Sequence, residues 1–369
     1  MSYRMKVYDD ESVNDFLSRR FGRKVARVLG SAVVHGIWAA DSRELSVRAS
    51  FPTLWDVEER GWGGVIRGIL RGLPKSVAEG ERYEVGELLH RVKGVSVFSF
   101  RDGMESLPKR LLGRLRESPN VQVLLGTAVK SLQPGGPGIG VSMHSSIMFR
   151  TLEPLFFQVQ LANGTTLQAS RVVSTIPLPK LNDLIPSSAP LPHLKRNSYT
   201  SVTVVNFIFN APPSALHPAG FGYLVPRPTN DYTLDSSTTT GILGTVFDSS
   251  SLASQDSTHG MEYTKLTMMC GGPWGVDAVP PVKALLDRLF EHLRKPRVDP
   301  IEVRVRQNMG CIPTPRVGHL DRMKELKDAL KGEGWCGKLV VVGAAVDGPA
   351  VPDCVMAARR AAVEISEPQ

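Results

Sequence analysis

The chain predicts an α/β protein of the α+β kind, and three observations carry that prediction. The first hundred residues are patterned as helices, and the middle alternates strands with loops rich in Pro, Ser, Thr and Gly. The chain then ends on a Val-rich strand that turns through glycine into an alanine-rich helix. With 369 residues, 42% of them hydrophobic, it is long enough for two or three domains with sizeable cores.

Ser12 followed by Asp15 predicts a capped helix over residues 13–21, stopped at Gly22. A second helix is expected over about 24–38. One or two more are expected over 54–73, with Val65, Ile66, Ile69, Leu70 and Leu73 on an apolar side and Arg67 and Arg71 opposite. From Val95 the texture changes: residues 95–100 and 121–125 read as strands around a helix over 104–117, entered through Asp102 and Gly103. Residues 157–161 and 166–169, joined through Asn163 and Gly164, predict a hairpin, and 171–177 a buried strand ending at Pro177.

Strands at 202–209, 241–247 and 263–270 predict an antiparallel sheet. A helix over 282–293, a strand over 301–306 and a helix over 320–330 precede the terminal unit. Residues 133–146 are expected to be a loop. Their glycines, Gly136, Gly138 and Gly140, are spaced G-x-G-x-G around Pro137 with no helix pattern after them, so they are no nucleotide fingerprint.

The terminal unit, residues 338–362 (KLVVVGAAVDGPAVPDCVMAARRAA), brings a strand through a turn to a helix N-terminus, where free N–H groups and the dipole favour an anion such as a pyrophosphate. Alone it leaves two readings open: a dinucleotide site, or a βα unit whose glycines serve packing.

The net charge of +8 is compatible with nucleic acid, an anionic membrane surface or an acidic small molecule. The tightest basic cluster, Arg19, Arg20, Arg23, Lys24 and Arg27, has no interleaved aromatic platform, which argues against nucleic acid and for a solvated helix face. Cys270, Cys311, Cys336 and Cys354 lie far apart and form no CxxC, so a disulfide framework is not expected; no metal-ligand spacing is visible either. The most apolar stretch, 25–40, is broken by Arg27 and His35 and is not expected to cross a bilayer. The first ten residues resemble neither a signal nor a transit peptide, and they do not open on a strand with a glycine-rich turn.

Five segments in order, residues 36–46 (GIWAADSRELS), 98–108 (FSFRDGMESLP), 220–226 (GFGYLVP), Cys311 to Pro313 with Gly318 and His319, and the terminal unit, together resemble the protoporphyrinogen oxidases of the flavin-containing amine oxidase superfamily. The resemblance implies an FAD enzyme of haem biosynthesis that oxidises protoporphyrinogen IX with oxygen as acceptor. It implies a helical, monotopically membrane-associated domain over 1–94, a segment of an incomplete Rossmann-like FAD domain over 95–180 with an insertion near 133–154, an antiparallel-sheet substrate domain over 181–310, and the rest of the FAD domain over 311–369. It further implies a homodimer at the mitochondrial inner membrane.

By the same resemblance, Phe221, Leu224 and Met269 hold the porphyrinogen, although taken alone they read as ordinary sheet core. Val129 would hold the adenine side of FAD, and Ala344, Pro349, Ala350 and Val351 its pyrophosphate and ring. No catalytic side chain is implied, because the hard step belongs to the cofactor. Arg43 is expected to pair with a carboxylate; His35 and His319 are expected to be structural, and Asp347 and Asp353 to cap the terminal turn.

Departures from the pattern are specific. The family's N-terminal glycine cradle, and an arginine suited to a propionate, have no counterpart here, so the chain is expected to start after them and to retain FAD poorly. Pro349 and Pro352 remove two N–H donors at the cofactor turn, and Ala40 and Asp102 stand where glycines are usual. A non-catalytic product acting as a binding or dimerising partner is the alternative, and another flavin amine oxidase a weaker one.

Overall fold

The computed structural model describes residues 10–72, 87–88, 90, 93–95, 99–135, 139–144, 147–152, 156–232, 241–255 and 263–366. In the helical part, α1 (Val13–Phe21) begins with the Ser12 hydroxyl accepting from the Asp15 N–H at 3.0 Å and ends at Gly22, φ 90°. The expected helix over 24–38 forms with a π-helical turn at Ala26–Gly30 ahead of α2 (Ser31–Trp38), and Ala39 closes it in the left-handed region. Helices α3 (Pro52–Arg60) and α4 (Val65–Leu70) cross at backbone contact, for a Cβ on Gly68 would stand 1.7 Å from the Val57 carbonyl. Phe16, Val34, Trp38, Leu45, Trp55 and Val57 form their core. The buried Glu58 carboxylate accepts from both Arg19 and Arg20, which joins α3 to α1.

Helix α5 (Ser106–Glu117) buries no side chain. Two expectations fail beside it. Residues 121–125 form no strand: Val121, Leu124 and Leu125 are exposed and find no pairing edge among the described residues. Of residues 95–100 those described, 95, 99 and 100, form none either; the rest lie outside the described residues.

Strand β1 (Val129–Pro134) is followed by β2 (Ile139–His144) and β3 (Ile147–Leu152), which pair as a hairpin, so the expected loop over 133–146 is strand at both ends. The alternation of Ile139, Val141 and Met143 outweighs the local Pro and Gly content. β4 (Phe157–Leu161) and β5 (Thr166–Ala169) form the expected hairpin, with Gly164 at φ 88°, and β1 pairs with β4. β6 (Val172–Ser174) pairs in parallel with β12 (Leu339–Val341), and those two strands make a sheet of two. Leu132, Phe157, Leu178, Met323, Trp335 and Leu339 share the core beneath, with Phe157 stacked on Trp335 at 5.9 Å.

Five antiparallel strands make the largest sheet, in the order β11-β7-β10-β9-β8: β7 (Ser198–Phe209), β8 (Gly222–Leu224), β9 (Ile242–Val246), β10 (Thr264–Gly271) and β11 (Glu302–Thr314). The strand expected over 301–306 thus runs on to Thr314. One face, with Val205, Phe207, Phe209, Leu266 and Met268, is buried under Leu285, Leu286, Leu289 and Phe290 of α6 (Val282–Leu293). Helix α7 (His319–Lys331) then leads to β12, and α8 (Val351–Ser366) ends the chain.

Candidate functional site

Because directly opposed residues of antiparallel strands point to the same face, the register defines a row. Leu224 opposes Gly244, Gly244 opposes Met269, and Met269 opposes Val204. This row lies on the face opposite α6. Two glycines set its depth. A Cβ on Gly36 in α2 would stand 2.6 Å from Leu224 Cδ2, and one on Gly244 would stand 2.9 Å from the same atom, so Leu224 lies between helix and sheet only because both are glycine. The register shift between Met269 and Cys270 leaves Leu243 unopposed and turns it toward Ala39, where it packs with Val202, Val204 and Met269.

The structure therefore brings Leu224 and Met269 together, about 10 Å apart along the row at two strand spacings. Phe221 joins them from just before β8, its carbonyl accepting from the Phe247 N–H at 2.9 Å. Phe221 is 62% exposed and Leu224 45%, apolar surface that the fold itself does not bury. Only the chain-order resemblance pointed to these three. Gly36 and Gly244 were missed, since each matters through its contact with Leu224, which for Gly36 lies on a distant strand of another part of the chain; the glycine inside a helical pattern at 36 was the one available signal.

A polar seam fixes α2 over this row. His35 Nδ1 lies 2.6 Å from the Val225 carbonyl and Nε2 lies 2.9 Å from the Tyr232 hydroxyl. The Arg227 N–H donates to Ser31 Oγ at 2.8 Å, and its guanidinium donates to Asn14 Oδ1 at 3.1 Å and lies 3.7 Å from Asp41. Burial pushes the His35 imidazole below its ordinary value and the Tyr232 phenol above its own. Arg43 pairs with Asp41 at 2.7 Å, a structural ion pair as expected; the Asp41 hydrogen bond raises its pKa.

The second part of the site is a cleft of about 150 Å³ at the C-terminal ends of the parallel strands β6 and β12, the place where open parallel sheets receive ligands. Thr175, Pro177, Tyr199, Cys311, Ala344 and Val346 line it. Of the expected cofactor residues, Ala344 lines this cleft. Pro349, Ala350 and Val351 follow in the turn into α8, and Val129 stands apart at the start of β1, opposed to Leu161.

The chain's residues fit the two ends of a flavin dinucleotide unequally. The cleft is narrow and lined by small and apolar groups, which suits the edge of a flat ring system. The α8 N-terminus suits an anion less well. Pro349 and Pro352 have no N–H, the Ala350 N–H donates to Asp353 Oδ2 at 3.3 Å, and the Gly343 N–H to Asp347 Oδ2 at 3.2 Å. Both carboxylates thus occupy the donors that a phosphate would use. His319 is buried beside this turn, and burial, then Arg322, pushes its imidazole down to about 4. All four cysteines are free thiols, Cys311 exposed at the cleft.

Residues 2–366 match the family described as flavin containing amine oxidoreductase. The chain is 30% identical to the protoporphyrinogen oxidases of Macaca fascicularis and Homo sapiens, over 96% of its own length and 69% of theirs. A solved structure from Exiguobacterium sp. 255-15 superposes with a TM-score of 0.69 at 21% identity, over 99% of this chain and 70% of that one. A putrescine oxidase variant superposes at 0.57 with 13% identity, over 99% of this chain and 70% of that one. The two structural likenesses concern the fold.

Proposed function

The chain belongs to the flavin containing amine oxidoreductase family, and we propose that it acts as an FAD-dependent protoporphyrinogen oxidase of porphyrin biosynthesis. The observation that carries the choice of substrate is the exposed apolar surface of Phe221 and Leu224, with Met269 in the same sheet row, set in a chain 30% identical to protoporphyrinogen oxidases. A flat, largely apolar macrocycle needs such walls. An amine of modest size does not.

A bound FAD would supply the redox chemistry, as the hydride acceptor for a porphyrinogen bridge carbon with oxygen as the final acceptor. The chain's own residues position and shield. Leu224 and Phe221 close on the macrocycle from one side, Met269 and Val204 support it from the sheet, and α2 keeps water from the row through the Gly36 contact. Ala344 and its neighbours in the cleft would hold the ring end of the cofactor.

No helix among the described residues is long and apolar enough to cross a membrane. Leu29, Ile37, Trp62, Ile66, Ile69 and Leu70 are exposed on the helical part, and Arg71 lies over the Trp62 ring at 4.2 Å. We place this surface on the face of a bilayer. A homodimer at the mitochondrial inner membrane belongs to the same reading.

The decisive measurement is protoporphyrin fluorescence developing from protoporphyrinogen IX under air, with added FAD, above the autoxidation rate. No excess rate, together with turnover of an aliphatic amine, would replace this reading with that of an amine oxidase.

A further inference from the structure

Gly36 lies inside α2, and its backbone is ordinary right-handed helix, so neither a turn nor a left-handed conformation calls for glycine there. An alanine would favour the helix locally, because glycine loses more backbone freedom when a helix forms. The reason for the glycine lies across the molecule. The three atoms nearest to a Cβ at position 36 all belong to one side chain: Leu224 Cδ2 at 2.6 Å, Cδ1 at 2.9 Å and Cγ at 3.4 Å. Gly36 is the floor of a notch in which Leu224 is seated, and since Gly36 is itself exposed, the notch opens at the surface.

β8, the strand that carries Leu224, cannot retreat from this contact. The Val225 N–H donates to the Leu243 carbonyl at 2.9 Å, and the Val225 carbonyl lies 2.6 Å from His35 Nδ1. The residue after Leu224 is therefore tied to the sheet on one side and to α2 on the other. Before it, a Cβ on Gly222 would stand 2.3 Å from the Thr245 carbonyl oxygen, and the Tyr223 hydroxyl lies 3.1 Å from His292 Nδ1. With the backbone held on both sides, the Leu224 side chain is the part that yields.

It can yield in one direction only. α2 stands on one side and Gly244 on the other, where a Cβ would be 2.9 Å from the same Cδ2 atom. The way left is outward, toward the solvent to which Leu224 is already 45% exposed. An ordinary contact between carbons is about 3.5–4.0 Å, so a methyl group at position 36 would move Cδ2 outward by roughly 1 Å.

We propose that Gly36 is a specificity-determining position. By leaving the notch empty it lets Leu224 sit back, and the depth of that seat fixes how bulky a ring periphery the apolar surface of Phe221 and Leu224 accepts. The proposal rests on the porphyrinogen reading above and adds to it a positioning residue that acts through Leu224. Close-packed apolar groups do not absorb such a displacement by compression, so the ligand has to give way instead.

The test compares protoporphyrin IX with deuteroporphyrin IX, which carries hydrogens in place of the two vinyl groups. Both have the same two propionates, so charge is constant and only the bulk of the rim changes. Dissociation constants are read from quenching of the chain's tryptophans and require no turnover. Gly36→Ala should weaken protoporphyrin IX about tenfold and deuteroporphyrin IX less than about twofold, the penalty that overpacking by one methyl group carries. Leu224→Phe, which enlarges the same side chain and leaves α2 untouched, should shift the ratio the same way. In the double variant Gly36→Ala, Leu224→Ala the ratio should return to that of Leu224→Ala alone, because the added methyl then has nothing to displace.

Equal weakening of both porphyrins by Gly36→Ala, a shift that persists in the double variant, or a Gly36→Ala chain that no longer folds overturns the assignment, since each means that Leu224 does not yield into the space of the ligand. A wild-type chain that binds neither porphyrin overturns the porphyrin reading and the assignment with it. If the ratio behaves as expected and porphyrinogen is not turned over with FAD present, the oxidase reading fails and the role of Gly36 stands.

Discussion

The substrate-side sheet and the parallel pair β6–β12 are built from similar residues, Val, Ile, Leu and Thr, yet they are at different stages of closure. In the five-stranded sheet, α6 covers one face and the other already presents an ordered row with a bulge and two fitted glycines. Among the described residues the parallel sheet has two strands, with Val173 44% exposed on β6 and an open groove of about 250 Å³ between β12, α7 and α8. Parallel sheets are ordinarily covered on both faces. The lesson is that closure is unevenly spread: among the described residues the five-stranded sheet is packed by helices on both faces, while the parallel pair is left with an open groove.

The largest expected effect follows directly. Purified as these 369 residues, the protein should carry far less than one FAD per chain by flavin absorbance, while binding protoporphyrin IX measurably. A stoichiometric flavin band would show that the two-stranded sheet is sufficient, and would break the contrast.

Next in size is a contrast within the sheet itself. Leu266 is wholly buried under α6 and Leu224 is 45% exposed at the edge of the opposite face, beside α2. Leu266→Ala should cost about 3 kcal/mol in urea unfolding and leave porphyrin affinity nearly unchanged once folded, whereas Leu224→Ala should cost under about 1 kcal/mol and weaken porphyrin binding. Equal stability losses would mean that Leu224 belongs to the core.

That division explains what was legible in the sequence. The α6 helix was, because Leu285, Leu286, Leu289 and Phe290 repeat at helical spacing and the packing they need is on one face. The β4–β5 hairpin was, because Asn163 and Gly164 supply the turn. Residues 121–125 were misread because an apolar, β-branched run becomes a strand only where an edge is available. The β2–β3 pairing was hidden by its flanking Pro and Gly residues. The row from Leu224 through Met269 to Val204 is set by the register of strands β7 to β10, and no local pattern encodes register. Phe221, Leu224 and Met269 were therefore reachable only by resemblance.

A pH effect of intermediate size sharpens the cofactor side. His319 is buried at the start of α7, hydrogen-bonded to the Ala345 backbone and facing Arg322 and Asp10, and its pKa falls to about 4. A depressed imidazole favours the neutral form, so the unfolded chain takes up the proton first. Stability from this group is complete above about pH 6.5 and is lost as pH falls toward 4, by about 3 kcal/mol. His319→Gln should flatten that acid limb in thermal unfolding; His35, also depressed by burial, should leave a smaller residual slope. An unchanged profile would detach the seam at Ala345 from acid stability.

The smallest effect expected is the most local one. At the entry to α8 the two prolines withhold N–H groups and the Asp353 carboxylate takes the Ala350 donor. Pro352→Ala restores one donor within the first turn of a sixteen-residue helix, at a cost of about 0.5 kcal/mol from the freer unfolded chain. One neutral N–H directed at a phosphate is worth roughly the same amount, so FAD should bind two- to threefold more tightly in a flavin fluorescence titration, with porphyrin affinity unmoved. If FAD affinity does not change while Asp353→Asn raises it, the obstacle at the turn is the carboxylate's charge and its claim on the Ala350 N–H. If neither substitution has an effect, the pyrophosphate does not approach α8 at all, and the ring-end cleft alone joins this part of the chain to the cofactor.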